Sequence, residues 1–288
     1  MNKTIDDIHK YIEFVESIGY TISFSFLKDI FAPVTHELIQ YDFHPHAVCN
    51  YLKHNPETAG KCVMNKRKLE DKGVTKAYYG CCYAGVEEFL FPVFYEGELL
   101  ICIHVSGYRG KLELSRIRMK RLSLVCGDEF VEAYNTLSDK VPHQDEISAF
   151  VMPIKYMLIE LYRKCVIMRN TKPSLTPYAG LYIEALHYIN ENYPNPISCE
   201  TIAKELKYSP SYIRYIFRRE GNISVQAKIN EIRLNNAKRL LRGGMMSITD
   251  IAFAVGFTDS NYFSSFFKKH EKMTPGKYRN TYKNNLRY

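Results

Sequence analysis

Two stretches carry one pattern: IAKELKYSP over 202–210, followed by Tyr212-Ile213 and Ile216-Phe217-Arg218-Arg219, and IAFAVGFTD over 251–259, followed by Tyr262-Phe263 and Phe266-Phe267-Lys268-Lys269. Their first segments match at an offset of 49 residues and their last at 50, so the second turn holds one residue more. A repeat this short is a supersecondary unit, not a domain. Each copy reads as a short helix, a tight turn and a second helix. The turn offers Ser209 or Thr258 as N-cap, with Pro210 or Asp259 suited to the first turn that follows. Along the second helix an i, i+1, i+4, i+5 stripe is apolar: Tyr212, Ile213, Ile216 and Phe217, then Tyr262, Phe263, Phe266 and Phe267.

That stripe leaves Ser211, Arg214, Tyr215 and Arg218 facing outward in one copy, and Asn261, Ser264, Ser265 and Lys268 in the other. Hydrogen-bonding side chains ending in a cation suit base edges and phosphates together. Between the copies, Gln226–Leu241 (QAKINEIRLNNAKRLL) has the spacing of a long basic amphipathic helix able to hold the units apart. Two units on one rigid connector can enter successive major-groove segments of double-stranded DNA, about 34 Å apart. The competing reading is a helical bundle whose charges are merely solvated; basic C-terminal turns on both copies favour DNA.

Charge placement agrees. Residues 178–288 hold 17 Lys/Arg against 9 Asp/Glu, whereas the preceding 177 residues hold 22 of each, so the whole surplus of +8 lies in the repeat-bearing segment. A chain of 288 residues with 46% hydrophobic residues is long enough for two domains with real cores. Eight cysteines and an N-terminus without an apolar signal region indicate reduced thiols in the cytoplasm, and the apolar runs are too short to span a membrane.

Over 178–283 these residues resemble the DNA-binding domain of the AraC/XylS family of bacterial transcription regulators, most closely from Asp250 to Arg279 (DIAFAVGFTDSNYFSSFFKKHEKMTPGKYR). The resemblance implies that Ser211, Arg214 and Tyr215 read bases in the first unit and Asn261 and Ser265 in the second. It also implies an activator and RNA polymerase as a partner. Lys272 stands where Gly is usual before Thr274-Pro275, and Ser265 where the family often has Arg; the latter departure implies that the second unit contacts mainly backbone.

The front half alternates. Residues 4–17 have helical spacing, Thr21–Phe26 has the period of a half-buried strand, and 28–46 reads as a loop with at most a short strand. Helical pattern returns over 47–69, broken near Asn55-Pro56 and Gly60. EFLFPVFY (88–95) and LLICIHV (99–105), separated by Glu96-Gly97-Glu98, predict a hairpin. Residues 112–138 and 146–169 read as two helices, the second apolar on more than one face, as in a buried or self-associating helix.

Residues 5–110 resemble the PocR-type sensory domain, through Cys49, Asn55-Pro56, Cys62, Tyr79–Gly85 (YGCCYAG), the hairpin with Pro92 and Gly97, and Gly107. That resemblance implies a PAS-like domain and a small-molecule effector such as a diol or polyol. Where the family commonly has Cys-His-Ala-Gly, this chain has Cys82-Tyr83-Ala84-Gly85.

The expected fold is α+β. A PAS-like ligand-sensing domain occupies 1–110, a helical connector with homodimerisation 111–170, a linker 171–177, and an all-α double helix-turn-helix domain 178–288. Phe24, Phe26, Tyr78, Tyr79, Tyr83 and Phe91 are candidates to line an effector pocket, with His44, His46 and His104 for polar contacts. Cys49, Cys62 and Cys82, with Cys81 adjacent, could bring soft thiolates together for a metal ion or an iron–sulfur cluster, or could simply pack as small buried hydrophobes. A redox- or metal-responsive regulator built on them is the alternative to a metabolite sensor; an enzyme such as a cysteine alkyl acceptor is a third reading. Nucleophile-elbow, P-loop, HExxH and GxGxxG motifs are absent, and Glu87-Glu88 reads as a solvated strand start.

Overall fold

The computed structural model describes residues 2–26, 31, 34, 37–42, 44–54, 58, 61, 74–171, 177–243 and 246–284. Helix α1 (Asn2–Ser17) buries Ile5, Ile8, Ile12 and Val15, the spacing that its sequence shows. Strand β1 (Thr21–Phe26) follows, and 28–46 includes a 3-10 turn at Ile39–Tyr41 in place of the expected loop or short strand. Helix α2 (Ala47–Lys53) covers the start of the 47–69 pattern, whose break at Asn55-Pro56 and Gly60 lies outside the described residues.

Strands β2 (Tyr78–Cys81), β3 (Glu87–Tyr95) and β4 (Glu98–Tyr108) complete an antiparallel sheet in the order β1-β4-β3-β2. The β3–β4 hairpin turns on Glu96 and Gly97, both at positive φ (51° and 85°), the backbone a tight two-residue turn requires. Successive strand residues point to opposite faces. One face, with Ile22, Phe24, Phe89, Phe91, Ile101, Ile103 and Val105, packs under α1 and under α5 (Gln144–Thr171). The other presents Ser23, Ser25, Glu88, His104 and Ser106, and all five are buried too.

Residues 112–138 form two helices rather than one. Gly127, at φ 77°, ends α3 (Glu113–Cys126) and caps α4 (Asp128–Asn135). Helix α5 was expected to serve as a connector. Its apolar stripe of Ile147, Val151, Ile154, Leu158, Leu161 and Cys165 instead lies in the core of the front domain.

The rest is helical: α6 (Pro177–Asn192), α7 (Cys199–Glu205), α8 (Pro210–Gly221), α9 (Val225–Gly243), α10 (Ile248–Ala254), α11 (Ser260–Glu271) and α12 (Pro275–Asn284). Ile202, Ile213, Ile216 and Phe217 of the first repeat and Ile251, Phe263 and Phe267 of the second meet in one core around α9. The repeat also recurs in the backbone. Lys207 and Gly256 take positive φ at the equivalent turn, and Asn222 and Lys272 at the equivalent C-cap. A Cβ at Gly256 would stand 2.5 Å from the carbonyl oxygen of Tyr193, so that turn admits no side chain.

The two halves are joined by buried polar contacts. The Arg239 Nε donates to Glu16 at 2.9 Å, and its Nη1 to the Gln40 carbonyl at 2.7 Å. Arg242 donates to Glu16 at 2.5 Å, to Glu13 at 2.8 Å and to Tyr278 at 3.0 Å. Tyr193 donates to the Asn50 side chain of α2, and Asn190 to the Ile39 carbonyl. Breaking a buried ion pair by removing one partner typically costs about 3–5 kcal/mol, against about 0–1 kcal/mol for an exposed pair. Glu16→Gln, which removes the carboxylate that Arg239 and Arg242 share, is therefore expected to lower the unfolding free energy in urea by about 3–5 kcal/mol.

Candidate nucleic-acid interface

Both second helices of the repeat begin on a side-chain cap. Ser209 accepts from the Tyr212 amide at 3.2 Å, with Pro210 at the first helical position. In the second copy the cap is Asp259, not Thr258: its carboxylate accepts from the Tyr262 amide at 2.6 Å. The extra residue in that turn moves the cap one place along.

On α8, Ser211, Arg214, Tyr215 and Arg218 are exposed together, as the spacing predicts. The Arg214 guanidinium lies 3.3 Å from Glu200, and both side chains are more than half exposed, so little free energy holds it there. Tyr215 accepts from Arg219 at 2.7 Å, and Arg219 in turn lies 4.0 Å over the Tyr178 ring. This Tyr–Arg platform was not anticipated. On α11, Asn261, Ser265 and Lys268 are exposed and Ser264 is half-buried. Tyr262, assigned to the buried stripe, is 57% exposed, because Phe257 and Phe263 already fill the space beneath it. Cations close the last turns of both helices: Arg218 and Arg219, then Lys268 and Lys269.

A helix-turn-helix family model matches residues 202–281. An uncharacterized HTH-type regulator YijO of Escherichia coli is 36% identical over 99 residues, 34% of this chain and 35% of that protein. The regulatory protein PocR of Salmonella typhimurium is 25% identical over 260 residues, 83% of each chain. The melibiose operon regulatory protein of E. coli is 33% identical over 112 residues, 38% of this chain and 37% of that protein. Residues 202–281 thus form a helix-turn-helix domain of the AraC type. The matches to YijO and the melibiose regulator thus span only about a third of those proteins, whereas the PocR match continues into the front half.

The AraC-type domain does not spend all its basic residues on this face. Along α9, Lys228, Arg233, Arg239 and Arg242 are buried. Arg233 donates to the carbonyls of Tyr193 and Asn195, at 2.9 and 3.0 Å. Burial works to depress the Arg242 guanidinium, but Glu16, Tyr278 and Glu13 prevail and hold it charged. The helix read as a basic spacer is thus an internal strut, because its cations have partners in the front domain and under the turn.

In that domain the expected effector residues separate. Phe24 points to the α1/α5 side of the sheet, opposite His104, since alternation puts Ser23 and Ser25 on the histidine side. Phe91 joins the same core as Phe24. Tyr78 is exposed, Tyr79 donates to Glu87 at 2.5 Å, and Tyr83 lies at the α3 side, with Arg121 5.6 Å over its ring. The Phe26 side chain lies outside the described residues. His44 and His104 do come together, on Glu88. Neither Glu87 nor Glu88 is a solvated strand start: Glu87 accepts from the amides of Lys111 and Leu112 ahead of α3, and Glu88 is 8% exposed. Burial works to raise the Glu88 carboxyl, yet His104 and His44 hold it well below the ordinary carboxylate range.

Cys62 lies outside the described residues. Cys49 and Cys82 sit in a small apolar cluster with Val48, Leu52 and Phe130, and burial pushes the thiols of Cys81 and Cys102 up, the latter to about 12. Among the described residues the donors that converge as metal ligands would are His44, Glu88 and His104. Glu88 was missed as a candidate; an anion inside an otherwise apolar strand was the available signal.

A cavity of about 440 Å³ opens where the front domain meets α9, lined among others by Glu16, His46, Ser106, Tyr108, Arg239 and Arg242. His46 lies 3.0 Å from the Ser106 hydroxyl. Burial, aided by His44 and Arg239 and opposed by Glu88, pushes its imidazole down to about 3. A histidine that resists protonation only when folded stabilises the protein above pH 6.5, and that stability is lost as pH falls through the interval toward 3. Burial lowers His9 in the same sense. Stability is therefore expected to fall between pH 6.5 and 5, with His46 contributing up to about 1.4 kcal/mol per pH unit. His46→Asn should reduce that slope in pH-dependent urea unfolding.

Proposed function

We propose that this chain is a DNA-binding transcription regulator whose front domain senses a small polar metabolite, with a diol or polyol the favoured class and activation the favoured sign. The observation that carries it is the coupling through α9: one helix organises both helix-turn-helix units and also plants Arg239 and Arg242 on Glu16 of the front domain. Similarity to the PocR regulatory protein across both halves supports the sensory role.

An effector in the junction cavity would meet both domains at once. It shifts the regulator only so far as its affinity differs between docked and undocked states. The polar lining of Tyr20, His46, Ser106 and Ser138 suits hydroxyl groups. Homodimerisation is favoured by the outer side of α5, where Met152, Tyr156 and Ile167 are exposed large apolar residues at helical spacing. RNA polymerase is the partner that activation requires. Among the described residues no helix is long and apolar enough to cross a membrane, and a cytoplasmic location follows from the DNA target.

Binding to DNA selected from a random pool tests the interface. Arg214→Ala is expected to cost about 1–3 kcal/mol and to relax sequence preference. Lys268→Ala should weaken binding to all sequences alike and reduce the slope of log affinity against log salt by about one. Unchanged affinity in both variants would remove the proposed docking.

A further inference from the structure

Three donor atoms from distant segments meet on the covered face of the sheet. His104 Nδ1 lies 3.0 Å and His44 Nε2 3.2 Å from the same oxygen of Glu88, and all three atoms fall within 4.8 Å of one another. Ligands bonded at about 2.1 Å to one ion stand about 3.0–3.4 Å apart, so the two histidine–carboxylate separations already have the spacing of neighbours in a coordination shell. The other nitrogen of His104 is 2.8 Å from the Ser25 hydroxyl, the kind of outer partner that fixes a ligating ring's tautomer and pose. Ser23, opposite His104 in the β1–β4 register, is buried, and its hydroxyl has no hydrogen-bond partner among the described residues. An uncompensated hydroxyl on the register partner of one of these donors points to a further group on this face.

We propose that His44, Glu88 and His104 bind a divalent first-row transition metal of the zinc or ferrous-iron kind. Two imidazoles and one carboxylate are the donor set of zinc sites with an open position and of the facial triad that holds ferrous iron. The ion ties the segment around His44 to the sheet. That segment runs through His46 directly into α2, where Asn50 accepts from Tyr193 and the Lys53 carbonyl accepts from Asn195 of the AraC-type domain. Occupancy of the site thus stiffens the surface on which the DNA-binding domain is docked. The site is separate from the cysteine set and stands whether or not the chain binds DNA.

The test uses the full chain, stripped with chelator and titrated with Zn(II) against a chromophoric competitor, then with Co(II) followed by absorbance. One equivalent is expected per chain, with weak visible cobalt bands and no intense thiolate-to-cobalt absorption. His44→Ala and Glu88→Gln should each lower affinity more than about 100-fold, and Ser25→Ala about 10-fold, while Cys49→Ser leaves it unchanged. His44 is at the edge of the cluster and its truncation disturbs the core least, so that variant decides if Glu88→Gln does not fold. No stoichiometric binding, affinity unchanged in His44→Ala, or thiolate absorption lost in Cys49→Ser would overturn the assignment. A chain that binds zinc through these residues but fails to bind DNA would overturn the preceding reading and not this one.

Discussion

One buried carboxylate governs how the two halves of this protein relate. Glu16 sits on α1 of the front domain and receives Arg239 and Arg242 from α9, more than 220 residues away in sequence. Two guanidiniums cannot stay in a low-dielectric junction on half a counterion each, so Glu13, the Gln40 carbonyl and Tyr278 complete the set. None of these groups can leave alone without stranding a charge. The junction is therefore cooperative, and the cavity beside it shares Glu16, Arg239 and Arg242 with it. The walls of that space are thus part of the balance of charge that docks the helix-turn-helix domain on the front domain.

The reader itself is two versions of one backbone. Lys207 and Gly256 adopt left-handed geometry at the same place, as do Asn222 and Lys272. Lysine in that region carries a steric cost of about 1–2 kcal/mol, so packing on both sides imposes the turn and the residue tolerates it. At Gly256 no tolerance exists, because the Tyr193 and Pro194 carbonyls and Arg233 crowd the position. Arg233, spent on the Tyr193 and Asn195 carbonyls, shows how the second unit is locked to the junction through Tyr193, whose hydroxyl bonds Asn50 of the front domain.

What could be read from the chain divides along sequence distance. The helix-turn-helix copies and the β3–β4 hairpin were legible because stripe, cap and turn lie within a few residues of one another; even there, the cap at Asp259 turned on one inserted residue and the exposure of Tyr262 on the rings packed beneath it. The fate of α5 was not legible, since a helix apolar on several faces fits a core as well as a partner. Arg233 and Arg239 read only as part of a basic spacer helix for the same reason: nothing in their neighbourhood names Tyr193 or Glu16. Strand alternation divides the expected pocket residues, putting Phe24 and His104 on opposite faces. Glu88 escaped notice because its partners, His44 and His104, lie 44 and 16 residues away.

Helix α5 ends at Thr171 and α6 begins at Pro177. Five intervening residues reach at most about 20 Å however they run. On so short a leash, a DNA-binding domain released from Glu16 stays at a local concentration on the order of millimolar relative to its dock. A domain so tethered makes small angular excursions and is rapidly recaptured instead of diffusing freely. The reach of that tether, more than the strength of any single contact, limits how far the DNA-binding domain can stand from the front domain.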